Sequence, residues 1–285
     1  MRLITGKIRE IDYEKRLFTL LVDNRIEYFY LSRSQMKKYE AYLKPDLFVS
    51  FKAYDTSVKR CFVMAYDVLQ FLRLEKHVGG KITSYYDINE IKIGVINVLK
   101  KDTYRMFLDL EFTMPPYSYA SGNGFHAEII EYGLIIEDNL GNVVDSASGF
   151  LRPNNEIGIS DRTCEFLHVS PEKLRHGDYF SKFYNILKDY MMMYQPTIYV
   201  WGKNDYLMLA KSYELNNLKP ITQRKDFVNL MQIIKNYYSI KNDVGLYKAY
   251  ELFGKLPPME VQDHNALHDA SCTLEVYHHF LKEIE

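Results

Sequence analysis

Near residue 104 the hydrophobic pattern of the chain changes period, and that change narrows the available folds more than anything else in its 285 residues. Upstream, β-branched and aromatic residues come in short runs: LITGKIREI, RLFTLLVD, IEYFYLS, LFVSFKAY and CFVMAYDVLQF. Charged or turn-forming segments separate them, as expected for strands. RSQMKKYEAYL, in their midst, reads as a short helix. Several short strands with one interposed helix predict a small barrel over residues 1–100. The weakly apolar stretch 75–92 reads as the connection, with a further short strand, IGVINVL, after it. Downstream, YRMFLDLEF, EIIEYGLIIED and NVVDSASGFLRP predict three strands, with a hairpin turn at 139–142 containing Gly141. Helical runs then dominate, interrupted by the apolar strand TIYVWG and closing with HNALHDASCTLEVYHHFLKEI. In that last helix Leu267, Ala270, Leu274, Tyr277 and Leu281 recur every three or four residues, which predicts one apolar face. Strands feeding helices over 101–285 predict an α/β sheet covered on both faces.

Composition removes some function classes. With 36 basic and 37 acidic residues, the chain lacks the cationic excess by which a purely electrostatic nucleic-acid coat protein gains its affinity. An enzyme that grips a few nucleotides is still allowed. Cys61, Cys164 and Cys272 form no C-x-x-C pair, which suits a reducing compartment and leaves no disulfide framework or zinc ribbon. Charges come too early in MRLITGKIRE for a signal peptide, and no run reaches the ~18 apolar residues of a membrane span. The expectation is a soluble cytoplasmic protein with no membrane partner.

Three acidic signals carry chemistry. Asp109 and Glu111 lie two apart in YRMFLDLEF, so a strand projects both carboxylates from one face. Such neighbours repel and resist desolvation unless a hard divalent cation neutralises them. On the pair alone, a solvated edge strand is the simpler explanation. Asp205 follows the apolar run TIYVWG where strand gives way to helix, the place where open α/β sheets collect ligands. Taken singly, it is better explained as a helix cap. His264 and Asp269 open the last helix, adding a carboxylate and an imidazole of the kind that serves as a general base near neutral pH. His264 and His268 also have a zinc-helix spacing, but Asn265 stands where the metalloprotease pattern needs Glu.

Taken together and in this order, DLEFT (109–113), HAEIIEYG (126–133), WGKND (201–205) and HNALHDA (264–270) resemble the motifs of the DEDDh family of 3′→5′ exonucleases, over roughly 104–285. His264 stands five residues before Asp269, and Asn265 occupies the place of the tyrosine in the sister branch, so the resemblance is to the histidine branch. The form D-x-E-x-T followed by EIIE looks most like the enhanced-RNAi and histone-mRNA exonuclease group, which mostly degrades RNA.

The resemblance implies a ribonuclease H-like mixed sheet flanked by helices over 101–285. Residues 1–100, a Gly-Lys opening strand followed by KRLFTLL and EYFYLS, resemble an OB or cold-shock-type barrel that binds nucleic acid. The DEDDh resemblance further implies two divalent cations, Mg²⁺ or Mn²⁺, held by Asp109, Glu111, Asp205 and Asp269. By the resemblance to the exonucleases, Asp109 is expected to bridge the two, Glu111 and Asp269 to serve the nucleophile side, and Asp205 to act mainly through water. His264 is implied as the base, with Phe112 and Thr113 positioning the terminal nucleotide. The expected partners are single-stranded RNA or DNA 3′ ends, with a homodimer as a candidate assembly and nucleoside 5′-monophosphates as products. Two other readings stay open, a DNA proofreading exonuclease and a catalytically silent nucleic-acid-binding protein. In the barrel, Phe18, Tyr28, Phe29 and Tyr30, beside Lys15, Arg16 and Arg25, are candidate stacking residues, of which alternation allows about half to face one side.

Overall fold

A computed structural model describes residues 1–119, 124–259 and 262–284. The chain divides into two compact units, Met1–Asn97 and Val98–Glu285. No helix among the described residues is long and apolar enough to cross a membrane.

The first unit is built on one sheet. Its strands are β1 (Arg2–Lys7), β2 (Glu10–Asp12), β3 (Leu17–Val22), β4 (Arg25–Tyr30), β5 (Phe48–Arg60), β6 (Val63–Val78) and β7 (Lys81–Asp87). The order is β1-β5-β6-β4-β3-β2, with β7 added to β6 and with β4 parallel to β6. Helix α1 (Arg33–Tyr39) starts at a capping box in which Ser32 and Gln35 satisfy each other's backbone N–H groups. Phe18, Phe29, Phe51 and Phe71 are fully buried, with ring centroids 4.9 to 6.2 Å apart. Phe18 and Phe29 are therefore core residues and not a stacking surface.

The stretch 75–92 is not a connection. Gly79 and Gly80 have positive φ (55° and 78°) and form a tight hairpin turn that pairs β7 with β6. Two glycines supply that geometry at no steric cost, so a polar, exposed ribbon still forms a strand. Nor is IGVINVL a strand, since it lies within helix α2 (Ile88–Leu99). Its apolar residues satisfy either period, and the run was too short for periodicity to decide.

The second unit contains a five-stranded sheet of order β10-β9-β8-β11-β12. Strands β8 (Arg105–Phe112), β9 (Ile129–Glu137) and β10 (Val143–Phe150) are antiparallel, and β11 (Thr197–Val200) runs parallel to β8 and to β12 (Phe227–Asn229). The helices are α3 (Asp161–Leu167), α4 (Pro171–Arg175), α5 (Phe180–Tyr194), α6 (Asn204–Leu215), α7 (Leu230–Tyr238), α8 (Leu246–Glu251) and α9 (Ala266–Ile284). The run FVNLMQIIKNYY is thus part strand and part helix, divided at Asn229, whose side chain caps α7.

Alternation along β8 divides its side chains between two layers. Met106, Leu108 and Leu110 share a core with Phe183 and Leu187 of α5 and with Leu209 and Tyr213 of α6. On the other face Phe107 packs edge-on against Tyr277 of α9. Asp109 and Glu111 project on this α9 face. The first turn of α9 lies directly on β9 at Gly133, where a Cβ would fall 2.2 Å from the backbone nitrogen of Leu267. This close approach rotates the helix from its expected face. Ala266, Asp269, Ala270, Thr273, Val276, Tyr277 and Phe280 are buried, whereas Leu267, Leu274 and Leu281 are only half-buried. In the first turns the small Ala266 and Ala270 meet the sheet in place of Leu267, and further along Val276, Tyr277 and Phe280 do so in place of Leu274 and Leu281.

Candidate active site

Four carboxylates from three elements meet on the α9 side of the sheet. Asp109 and Glu111 come from β8, and Glu111 is 9% exposed. Asp205, in the first turn of α6, is 4% exposed, and its Oδ1 accepts the N–H of Leu110 at 3.1 Å. That bond ties the third carboxylate to the backbone between the first two. Asp269, in the first turn of α9, is 1% exposed. Its Oδ2 accepts from Gln262 Nε2 at 2.6 Å, whereas its Oδ1 is buried with no hydrogen-bond partner.

His264 precedes α9 in a left-handed conformation, φ +53°. Its Nδ1 lies 3.8 Å from Glu111 Oε1, and its ring stacks on Phe166 of α3 with centroids 4.0 Å apart. Donor atoms of Glu111, His264 and Asp269 all lie within 4.8 Å of one another. All five predicted site residues thus occupy one region. His268 shares a donor group with Asp269 and Cys272, and its Nδ1 meets Asp263 Oδ1 at 3.0 Å.

The electrostatics favour protonation. Burial, then the carboxylates of Asp205, Glu111, Asp269 and Glu131, push Asp109 well above the usual range. Glu111 is pushed up to about 9 by burial, then by Asp269, Glu131 and Asp205. Asp205 rises to about 7 through burial, against the backbone N–H groups that hold its charge. Burial also raises Asp269, opposed by the Gln262 hydrogen bond and by His264 and His268. Cations would reverse this balance. The orphaned Asp269 Oδ1 and an all-oxygen carboxylate set fit hard divalent ions such as Mg²⁺ or Mn²⁺.

The two predicted substrate residues sit differently. Thr113 is 3% exposed, and its hydroxyl accepts the N–H of Glu128 at 2.9 Å while its own N–H donates to the carbonyl of Glu128. Phe112 packs on the core shared by α5 and α6. Glu131 enters the sequence reading only as the last letter of EIIE, without a role; it is 3% exposed beside Glu111, its partner across the β8–β9 pair. Its signal was present, because a glutamate inside a mostly apolar run is rarely buried without a partner. Phe166 and Gln262 had no such signal, since only the fold brings them to the site.

The mixed five-stranded sheet flanked by helices is a ribonuclease H-like fold, with acidic side chains on its central strand and on the helices beside it. Within that class, the chain belongs to the exonuclease family (RNase T), whose profile matches residues 106–277, and it is a 3′→5′ exonuclease. A Bacillus subtilis (strain 168) protein named probable 3′-5′ exonuclease KapD is 30% identical over 151 residues, 52% of this chain and 71% of the relative. The nuclease domain of 3′hExo, a DEDDh family member solved bound to rAMP, is similar in structure. Its TM-score is 0.56 at 19% identity, covering 64% of this chain and 92% of that one. A full-length 3′-exonuclease gives a TM-score of 0.55 at 19% identity, and the match covers 64% of this chain but only 61% of the other. Members of this family generally use divalent metal ions.

Proposed function

We propose that the protein removes nucleotides one at a time from single-stranded 3′ ends, with RNA favoured, by a two-metal mechanism that releases nucleoside 5′-monophosphates. One observation carries the reading: four buried or half-buried carboxylates from β8, α6 and α9 converge with one Asp269 oxygen unpartnered. Asp109, Glu111, Asp205 and Asp269 would hold the cations. When bound, these neutralise the carboxylates and stabilise charge developing on the phosphodiester oxygens.

His264 would take the proton of the attacking water; Glu111 beside its Nδ1 and Phe166 against its ring support that role. The bond from the Leu110 N–H fixes buried Asp205 to β8 between Asp109 and Glu111. The RNA preference is supported by the D-x-E-x-T and EIIE motifs and by the rAMP bound to 3′hExo. An inactive binding role has less support, because no acidic ligand of the motifs is replaced.

Residues 1–100 present the strand, as an OB-like barrel. The sheet order, its parallel β4–β6 pair, and β1 and β2 at opposite ends of that order support the barrel. Tyr28 (38% exposed) and Tyr30, with Arg16 and Arg60 over the Tyr30 ring, offer a stacking surface.

The test uses 5′-labelled RNA and DNA oligonucleotides of matched sequence with Mg²⁺ or Mn²⁺. Ladders shortening from the 3′ end are expected, faster on RNA, and lost with chelator, Asp109→Asn or His264→Ala. Equal cleavage by wild type and both variants would refute the site, and faster cleavage of DNA would favour a proofreading role.

A further inference from the structure

Glu131 sits in the middle of β9, where all nine residues are buried. Leaving a carboxylate there, beside Glu111, is unfavourable unless its oxygens are used. They are. Oε1 accepts from Asn265 Nδ2 at 2.9 Å, and the carboxylate also accepts the backbone N–H of Ala266, the first residue of α9. Asn265 Oδ1 in turn accepts the N–H of His268 at 3.0 Å, and the Asn265 carbonyl accepts the N–H of Asp269 at 2.9 Å. The side chain of Glu131 therefore grips the cap of the helix whose first turn carries Asp269. His264 immediately precedes that cap. Two residues further along β9, Gly133 leaves the space in which the same turn is seated.

Resting on the assignment of His264 and Asp269 above, we propose that Glu131 is a positioning residue for the reaction: by accepting from Asn265 and Ala266 it locks the start of α9 against the sheet and so holds Asp269 and His264 opposite Asp109 and Glu111. It binds no substrate and transfers no proton. Its work is done through the cap, so an acceptor oxygen matters at this position more than a negative charge does.

Glu131→Ala, Glu131→Gln and Asn265→Ala are compared by single-turnover cleavage of a short RNA with Mn²⁺, and by hydrogen exchange of the 266–269 amides without substrate. Glu131→Ala is expected to lower kcat by about 10- to 100-fold with KM nearly unchanged, as for other side chains that orient a site's ligands. Exchange of the first-turn amides should speed up by about tenfold, as expected for a lost helix cap. Glu131→Gln, which keeps one acceptor oxygen, should stay within about fivefold of wild type. Asn265→Ala, at a partly exposed cap, provides the check should Glu131→Ala fold poorly; its loss and that of Glu131→Ala should be less than additive in the double variant. The proposal is overturned if Glu131→Ala keeps its kcat, if Glu131→Gln is as damaging as Glu131→Ala, or if the two losses simply add. Absence of cleavage by the wild type would instead reject the exonuclease site, while the exchange data would still report the anchor.

Discussion

Replacing Gly133 with alanine adds one carbon at the contact between β9 and α9. That carbon would lie 2.2 Å from the Leu267 nitrogen and 2.3 Å from both the Ala266 carbonyl carbon and the Leu267 Cα. All three are backbone atoms, so no side chain can rotate out of the way. Ordinary contact begins at 3.4 Å, leaving a shortfall of 1.2 Å (3.4 less 2.2) that the first turn of α9 must supply by moving off the sheet. Asp269 rides on that turn and His264 precedes it, while Asp109, opposite Gly133 on β8, stays in place. A misplacement of about 1 Å at a reacting centre costs about 100-fold, so kcat should fall by about that factor. Overpacking should cost about 1–3 kcal/mol of stability as well. Single-turnover cleavage of a short oligonucleotide at saturating Mn²⁺ gives the first quantity and urea unfolding the second. A folded Gly133→Ala protein with kcat within about threefold of wild type would refute the close seating of α9.

The metal-free protein should lose stability as pH rises. Glu111 and Asp205 keep their protons to about 9 and about 7 when folded, but only to the ordinary carboxylate range, 4.5 and 3.8, when unfolded. The unfolded state therefore releases protons first, so stability is intact below about pH 4 and is lost as pH climbs through 7 to 9. Mg²⁺ should raise Tm more at about pH 8.5 than at about pH 5, and Asp109→Asn should raise the metal-free Tm at about pH 8.5 while ending cleavage; calorimetry showing a flat or rising Tm would contradict the mutual repulsion. Phe166→Ala removes the ring stacked on His264, an interaction worth about 0.5–1.5 kcal/mol, so kcat should drop by about 2- to 12-fold. Phe166→Leu, which keeps bulk but not the ring, should recover little, and full recovery would show that packing alone matters.

The acidic site was legible because its spacing has a simple geometric meaning. Residues 109 and 111 share a strand face, 205 follows an apolar strand, and 269 follows a helix start. None of these depends on long-range detail. The start of the last helix was legible too, but its orientation only in part: Ala270 and Tyr277 are buried as expected, whereas the close seating at Gly133 leaves Leu267, Leu274 and Leu281 half-buried. Glu131 lay hidden within an apolar run whose period said only that the strand was buried. In the first unit, the paired glycines at 79 and 80 marked a hairpin that low apolarity obscured. The run ending at Leu99 offered no period long enough to separate helix from strand.

The order of synthesis gives the α9 arrangement a consequence. Asp109 leaves the ribosome 160 residues before Asp269 (269 less 109), and every stage between them lacks the segment that completes the acidic ring. A nascent chain in that interval shows a bare sheet face, with Phe107 uncovered by Tyr277 and Gly133 without its helix. Such a chain carries Asp109 and Glu111 without Asp269 beside them. The acidic cluster is complete only when α9 closes over β8 and β9, so the last segment made is the one that switches the sheet from inert to hydrolytic.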